Sequence, residues 1–253
     1  MKRVTLAFLI VLASVPLFTK GADAQPGRRS ARRRTPPTAE CPVSITGIAD
    51  CSDTGCGEDG DTELNKAKNR VDVPRQSDVQ TMTFDAIRSL AQPSRWNTGD
   101  DRTSIKGSGK EGTPVELKGF LLKVKPEGGE SCNCGLTRRV DTDVHLALVA
   151  ATEDGEETSV TAEITPRVRA NGHPDWLYKN VKDLEGEFIR VTGWLMLDTK
   201  HIRQTQRLPN ERLNKPLTRA TNWEVHPVTK LEVCQQSVAA CNANQGWQEF
   251  SPQ

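Results

Sequence analysis

Aromatic side chains are scarce in this sequence, which has one tyrosine, six phenylalanines and five tryptophans among 253 residues. The basic segment 198–222 contains none of the three. Proteins that hold single-stranded nucleic acid stack its bases on aromatic rings. Nucleic acid is therefore a less favoured partner for this chain than another polar or anionic ligand.

The motifs of several enzyme classes are also absent. The sequence has no G-x-S-x-G, no P-loop, no G-x-G-x-x-G after a predicted strand, and no cysteine beside a histidine in a recognisable setting. It also lacks the two C-x-x-C-like pairs of a zinc–thiolate site. These absences favour a protein that is not an enzyme and has no cofactor, with a divalent metal ion as the alternative.

A long hydrophobic run occurs only at the beginning of the sequence. The basic Met1–Arg3 precedes the apolar residues 4–18, and Ala22–Ala24 offers an A-x-A cleavage site, as in a secretory signal peptide. The run is short for a membrane anchor and contains Pro16. We therefore expect residues 1–24 to be removed and the protein to be exported, to the periplasm or the extracellular space, with no transmembrane segment.

The rest of the sequence divides by composition into four parts. Residues 25–40 form a basic, Pro-rich linker that we expect to be disordered; five arginines lie between positions 28 and 34. A Cys-containing extension (41–112), a barrel domain (113–235) and a C-terminal tail (236–253) follow. The formal net charge is +1, and the chain without the arginine run is mildly acidic. Because nonspecific binding to the phosphate backbone of nucleic acids requires positive charge, the mildly acidic remainder of the chain argues against that function.

Disulfide bonds are the expected cross-links of an exported protein with seven cysteines. The candidates are Cys41, Cys51, Cys56, Cys132, Cys134, Cys234 and Cys241. Sequence proximity pairs the first with the second or third, and the last two with each other. The C-N-C pair is too close for an ordinary internal bridge, so we expect a bond from it to the N-terminal group. The odd number leaves one thiol free or bonded to another chain.

Five segments alternate between apolar and polar residues, and a helical segment, 175–184, falls between the third and the fourth. Strands of this period place successive side chains on opposite faces of a sheet. The order of elements is that of an OB-fold. We therefore predict an all-β protein with a small α contribution: a five-stranded OB-like barrel with a helix between strands 3 and 4, plus a Cys-rich N-terminal extension. The strand segments are 115–125, 143–150, 158–166, 188–197 and 222–233.

Strands 2, 3 and 5 adjoin in such a barrel, whose strand order is 1-2-3-5-4. D-V-H in strand 2 and E-V-H in strand 5 each put a carboxylate beside an imidazole on the outer face. The predicted ligand-binding residues of this face are Asp143, His145, Glu163, Glu224 and His226. Three interpretations remain open: a binding face for a polar ligand, a structural network of His–carboxylate pairs, or a divalent metal site. The metal alternative uses His145, Glu163, His201 and His226, since imidazole and carboxylate suit zinc or another divalent ion.

The connection between strands 4 and 5 extends the predicted binding surface. It is long and basic, and OB-folds often contact their ligands through loops in this position. Arg203 and Arg207 are its candidate ligand contacts, and Trp194 in strand 4 is the outward aromatic ring best suited to stacking. Within strand 5, the alternation places Val225 inside and His226 outside, and Pro227 predicts a bulge or an unpaired edge.

Several segments together carry a family likeness: 56–70, GESCNC (129–134), DVHLALV (143–149), EITPR (163–167), VTGWLMLD (191–198) and WEVHPV (223–228). They resemble a group of uncharacterised exported bacterial proteins with an OB-like barrel. The resemblance implies export and the barrel fold, and it implies no activity. Secreted thermonucleases also use an OB barrel, and Arg138, Arg139, Asp141 and Asp143 are an imperfect echo of their site.

The sequence thus favours an exported, non-catalytic OB-fold module that binds a polar or anionic ligand such as an oligosaccharide, a nucleic acid or a protein. One alternative is a metal-assisted hydrolase, such as a secreted phosphodiesterase or nuclease, in which the bound ion activates water. A structural protein of the cell envelope is the other.

Overall fold

The computed structural model describes residues 40–93, 95–97, 99–106, 111–205 and 217–252. The predicted leader 1–24 and all but the last residue of the predicted linker lie outside the described residues. The described residues belong to one compact unit.

Strands dominate this part of the chain, and its helices are short. The strands are β1 (Gln80–Met82), β2 (Pro114–Pro126), β3 (Val144–Val149), β4 (Val160–Ile164), β5 (Phe188–Leu197), β6 (Trp223–Cys234) and β7 (Trp247–Glu249). The helices are α1 (Thr62–Lys68), α2 (Phe84–Arg88), α3 (Thr103–Lys106), α4 (Pro166–Ala170), α5 (Tyr178–Lys182) and α6 (Val238–Asn242). Short 3₁₀ turns cover Ile48–Asp50, Gln76–Asp78, Ser131–Asn133, Glu156–Thr158 and Ile202–Gln204.

Five strands form a closed mixed barrel in the order β2-β3-β4-β6-β5, which the antiparallel pairing of β2 with β5 completes. β4 and β6 run parallel, and the other neighbours around the ring run antiparallel. The predicted barrel and strand order are therefore confirmed. Two further strands lie outside the ring: β1 adds to β2 in parallel, and β7 adds to β6 in antiparallel orientation.

The apolar residues of the alternating segments fill the barrel. Val225 is fully buried in this core, as predicted. Trp176 and Val181, from the segment between β4 and β5, join the core, whereas the expected helix 175–184 is shorter than its pattern and covers only α5. The other strand residues of the core include Val115, Leu117, Leu121, Val124, Val144, Leu146, Leu148, Val160, Ala162, Ile164, Ile189, Val191, Leu195, Leu197, Trp223, Leu231 and Val233.

The predicted irregularity at Pro227 is confirmed as a shift of register between β5 and β6. The shift occurs on both sides of Gly193, which pairs with Val228. A Cβ atom on Gly193 would lie 2.2 Å from the carbonyl oxygen of Pro227. The close approach of the two strands therefore requires glycine at this position.

Three disulfide bonds cross-link the protein, which confirms the expectation of disulfides: Cys41–Cys56, Cys51–Cys134 and Cys234–Cys241. The second bond joins the extension to the C-N-C segment, and Cys132 remains a buried free thiol. Disulfides of this number fit an oxidising compartment. The Cys51–Cys134 bond also attaches an extension with few large apolar residues to the barrel.

No helix in the described part of the chain combines the length and the apolar character that a bilayer crossing requires.

Candidate functional site

The polar side chains on the outer wall of β3, β4 and β6 are buried, which differs from the exposed binding face that the alternation suggests. Their exposed fractions are small: Asp143 1%, His145 8%, Glu163 0%, Glu224 0% and His226 0%. The physical reason is that the extension covers this wall. Helix α1 packs against β6 and against the 3₁₀ turn that follows β2.

Two side chains at the end of α1 hold the extension against the barrel. Lys68 donates from Nζ to Oε1 of Glu130 at 3.0 Å, and both side chains are largely buried. Asn69 donates from Nδ2 to the carbonyl oxygen of Cys132 at 2.8 Å. The extension therefore supplies a cation and a side-chain hydrogen bond to the loop that precedes β3.

His226 lies at the centre of the buried polar cluster. Its Nδ1 donates to Oε1 of Glu224 at 3.0 Å, and Oε2 of Glu163 lies at the same distance from this nitrogen. On the other side of the ring, Nε2 lies 3.9 Å from Oδ2 of Asp143 and has no hydrogen-bond partner among the described residues.

Glu163 connects His226 to His145. Its Oε1 contacts Nε2 of His145, whose Nδ1 lies 3.0 Å from Oε1 of Glu127. Neither oxygen of Glu163 has a partner in hydrogen-bond geometry within the described part of the chain. Asp143, by contrast, is held at one oxygen only, because Asn133 donates from Nδ2 to its Oδ1 at 3.0 Å.

A second series of charged contacts begins at Glu224. Its Oε2 accepts from Arg219 at 3.0 Å, and the same guanidinium nitrogen lies 3.4 Å from Oδ2 of Asp198. His201 contacts this oxygen of Asp198 through Nδ1. His201 thus belongs to the Asp198 end of the network and does not meet Glu163 and His226, although the sequence grouped these three as metal ligands.

Burial and charge act against each other on the pKa values of the central groups. Burial, followed by the charge of Glu130, raises the pKa of Asp143 to about 7. Burial alone would lower the pKa of His226, but Glu163 and Glu224 outweigh it and raise that pKa to about 10. Burial would raise the pKa of Glu163, yet the imidazoles of His145 and His226 hold it well below its usual range. Glu163 is therefore held as a carboxylate between two imidazoles, whereas Asp143 is protonated in part of the molecules near neutral pH.

A cavity of about 180 Å³ opens beside this network. It lies against the outer wall of β3 and β4 and the connection from β5 to β6. Burial alone would lower the pKa values of His145 and His201, but contacts with Glu163 and Asp198 respectively outweigh burial and raise both. The residues that line the cavity are Lys125, Glu127, His145, Ala147, Thr161, His201, Gln204, Thr218 and Arg219.

Trp194, another predicted ligand contact, does not line this cavity. The guanidinium of Arg70 covers the indole of Trp194, with its Cζ 3.4 Å from the ring centroid, and the indole nitrogen donates to the carbonyl oxygen of Asp72 at 2.9 Å. The extension therefore occupies the ring that we expected to stack on a ligand. The side chain of Arg203 and the whole of Arg207 lie outside the described residues.

Sequence reasoning missed the residues that neutralise and position the cluster. Lys68, Asn133 and Asp198 belong to segments that carry no motif, and they reach the cluster only through the tertiary fold. Arg219 stood out only as one of several basic residues in its loop. The one available signal was the family likeness of 56–70, 129–134 and 191–198, which contain the lysine, the asparagine and the aspartate.

The residues of the nuclease echo have structural partners. Arg138 contacts Asp141, which accepts a hydrogen bond from the backbone nitrogen of Ile48 at 3.1 Å. Asp143 is held by Asn133 and faces His226, so it does not share a site with Arg138.

Comparison with known proteins does not assign a family. No protein-family model and no curated protein sequence matches the chain. Among solved structures, the chain is similar to Entamoeba histolytica asparaginyl-tRNA synthetase, with 12% identity and a TM-score of 0.28. The match covers 65% of this chain and 26% of the synthetase chain, so the chain spans about a quarter of that structure's length. At this TM-score the likeness supports no inference about function.

Proposed function

We propose that this protein is an exported, non-catalytic binding module that holds a small anion of the phosphate or carboxylate class in the cavity beside His145 and His201. The observation that carries the proposal is the set of cationic groups around this cavity. Lys125, Arg219 and the two imidazoles line the cavity with one carboxylate, Glu127. The other carboxylates that pair with these cations, among them Glu156 at 2.8 Å from Nζ of Lys125, do not line it.

The geometry leaves donors available to such an anion. Nδ1 of His201 contacts Asp198, whereas none of the described contacts occupies its Nε2. Thr161 and Thr218 add hydroxyl groups to the lining. A protonated imidazole, an ammonium and hydroxyls are the donors that bind oxyanions through charge-assisted hydrogen bonds.

The size of the cavity limits the ligand. A volume of about 180 Å³ is below the roughly 300–1,000 Å³ of pockets for drug-sized ligands. It favours a single small anion, or one anionic group of a larger molecule, over a strand of nucleic acid or sugar. A larger cavity of about 400 Å³ lies between α2, α6 and β5, but its lining includes Met82, Phe84, Phe188 and Val238 and brings fewer charged groups together.

Metal-assisted hydrolysis is less well supported by this geometry. A catalytic metal needs a coordination position that substrate or water can reach. The carboxylates and the imidazole nearest one another, those of Asp143, Glu163 and His226, are at most 1% exposed. We therefore favour binding over catalysis.

Titration calorimetry tests the binding proposal on protein purified from an exporting host. Inorganic phosphate, sulfate and citrate are the probes, and a neutral disaccharide is the control ligand. We expect saturable binding of at least one of the anions and none of the disaccharide. Because a hydrogen bond to a charged group contributes about 1.5–3 kcal/mol, Lys125→Gln and His201→Gln should each weaken binding by about tenfold or more.

Matched variants separate a local effect from a general one. Lys182→Gln removes a surface ammonium and His173→Gln removes an imidazole, and neither residue lines the cavity. Both variants should bind as the wild type does. Failure of every anion to bind would reject the proposal and favour the structural envelope alternative.

The proposal that the protein is exported is supported by two other observations. The leader pattern of residues 1–24 and the three disulfides both fit a secreted protein. N-terminal sequencing of the protein recovered from the culture medium or periplasm should begin at Gln25. An intact N-terminus in the cytosolic fraction would contradict this part of the proposal.

A further inference from the structure

Three buried side chains converge beneath α1, one from the residue before β3 and one each from β4 and β6. One ligand atom from each of Asp143, Glu163 and His226 lies within 4.8 Å of the other two. Nε2 of His226 and Oδ2 of Asp143 are 3.9 Å apart. Two atoms that bond one ion at about 2.0–2.2 Å are at most about 4.4 Å apart, so this pair already has a separation that a shared ion permits.

Two of the converging atoms lack hydrogen-bond partners: Oδ2 of Asp143 and Nε2 of His226 are both buried, and neither has a partner within the described residues. The oxygens of Glu163 lie close to imidazole nitrogens, Oε1 at His145 and Oε2 at Nδ1 of His226, but neither contact has hydrogen-bond geometry. Leaving a buried polar atom unpaired costs about 1–3 kcal/mol, and more for a charged group. The two facing atoms, Oδ2 of Asp143 and Nε2 of His226, therefore favour a cation as their common partner.

Nδ1 of His226 and Oδ1 of Asp143, which face away from the other residue of the pair, have the hydrogen-bond partners that are usual around metal ligands. A metal-bound histidine usually donates its second ring N–H to a carboxylate, which fixes the orientation of the ring. Nδ1 of His226 makes this bond to Glu224, which Arg219 holds in turn. Asn133 holds Oδ1 of Asp143 in the same way and leaves Oδ2 directed at His226.

Two other groupings of candidate ligands are less suitable. Glu130, Cys132 and Asp143 also lie close together, but the ammonium of Lys68 already neutralises Glu130. The sulfurs of Cys41, Cys56 and Cys134 are committed to disulfide bonds. Of these three groupings, the Asp143–Glu163–His226 group is the one that combines a carboxylate oxygen and an imidazole nitrogen without hydrogen-bond partners, those of Asp143 and His226.

We infer that Asp143, Glu163 and His226 bind a divalent transition-metal ion, of the class of zinc or manganese, in a buried and structural site. One imidazole with two carboxylates is a donor set that these ions accept. The ion would join β3, β4 and β6 beneath α1, so its role is to hold the barrel wall together and not to contact substrate. The site goes beyond the proposed anion cavity, which lies on the other side of Glu163.

Metal analysis of the purified full chain tests this inference. We expect roughly one zinc or manganese ion per chain after growth with either metal, and a lower melting temperature after chelation that the added metal restores, because a ligand of the folded state stabilises it. His226→Gln and Asp143→Asn should lose the ion, and His173→Gln and Asp175→Asn should keep it. Metal-free wild-type protein whose melting temperature does not change on adding either ion would overturn the inference.

The cobalt(II)-substituted wild type gives a second measurement that does not depend on the folding of the variants. Oxygen and nitrogen ligands should give only weak visible d–d bands. An intense thiolate charge-transfer band in the near ultraviolet would place the ion on Cys132 instead and would reject the ligand set proposed here.

Discussion

Lys68 and Glu130 form a buried ion pair, with Nζ 3.0 Å from Oε1, that joins helix α1 of the extension to the barrel. The pKa of Lys68 is raised well above its usual value: burial would lower it, but the charges of Glu130 and Glu163 outweigh burial. The ammonium therefore stays charged beneath the protein surface and neutralises part of the carboxylate cluster. The extension is in this sense a component of the polar centre and not an appendage to the barrel.

Lys68→Met should destabilise the protein strongly. Removing one partner of a buried ion pair leaves the other charge unpaired, which typically costs about 3–5 kcal/mol. Urea unfolding measures this loss. Lys66→Met is the matched control, because Lys66 lies on the same helix, is 48% exposed and pairs only with Glu63 in the described contacts; this variant should lose less than about 1 kcal/mol. Equal losses in the two variants would contradict a special role of Lys68.

The longest and the shortest of the three disulfide loops should differ in their contribution to the free energy of unfolding. Cys51–Cys134 spans 83 residues and Cys234–Cys241 spans 7. The loop-entropy relation gives about 4.5 kcal/mol for the first and about 2.4 kcal/mol for the second. Paired Cys→Ser substitutions, compared by chemical unfolding, should show the larger loss for Cys51–Cys134. The reverse order would show that the extension stays ordered on the barrel without its cross-link.

Gly193→Ala should disturb the junction of β5 and β6. The new methyl group would lie 2.2 Å from the carbonyl oxygen of Pro227, so a strand must move. Overpacking of this kind costs about 1–3 kcal/mol or more. Gly128→Ala is the control, since its Cβ meets no atom within 4 Å. Thermal unfolding of the two variants compares them, and an unchanged melting temperature for Gly193→Ala would show that the described strand approach is wrong.

His201 should make stability depend on pH. Burial would lower the pKa of His201, but the contact with Asp198 outweighs burial and raises it. Glu127 also faces this imidazole. The charges of Arg219 and Lys68 act to lower the pKa. A raised folded-state pKa gives stabilisation that is fully present below the unfolded value of about 6.5 and is lost as pH rises through the folded-state pKa.

The free energy of unfolding of wild type minus that of His201→Gln isolates this contribution. The difference should be largest at acid pH, within the range where the barrel stays folded, and should decrease as pH rises above about 6.5. His173→Gln gives a control of opposite sign, because burial lowers the pKa of His173. A difference that grows with pH for His201 would contradict the described contact with Asp198.

The barrel could be predicted from the sequence because its signal is local. Alternation assigns Val225 to the core and His226 to the opposite face, and both assignments hold. The pairing partners of the cysteines follow in part from proximity, and Pro227 indicates the register shift in β6.

Burial of the outer face could not be predicted in the same way. Alternation distinguishes the two faces of a strand, but it does not say whether a second layer covers the polar one. Here α1 provides that layer, and its Lys68 meets a glutamate 62 residues further along the chain. The same polar pattern on a strand is therefore compatible with a solvated binding face and with a buried network of charged groups.

The four histidines of the chain allow one measurement of the central claim, that a small anion binds beside a buried polar centre. Long-range ¹H–¹⁵N correlation spectra resolve each imidazole during a titration with inorganic phosphate. The account predicts that the ring signals of His145 and His201, which line the cavity, shift with a common saturation curve while that of His173 stays unchanged. Saturable shifts confined to His173, or no shift in any ring up to millimolar phosphate, would contradict it.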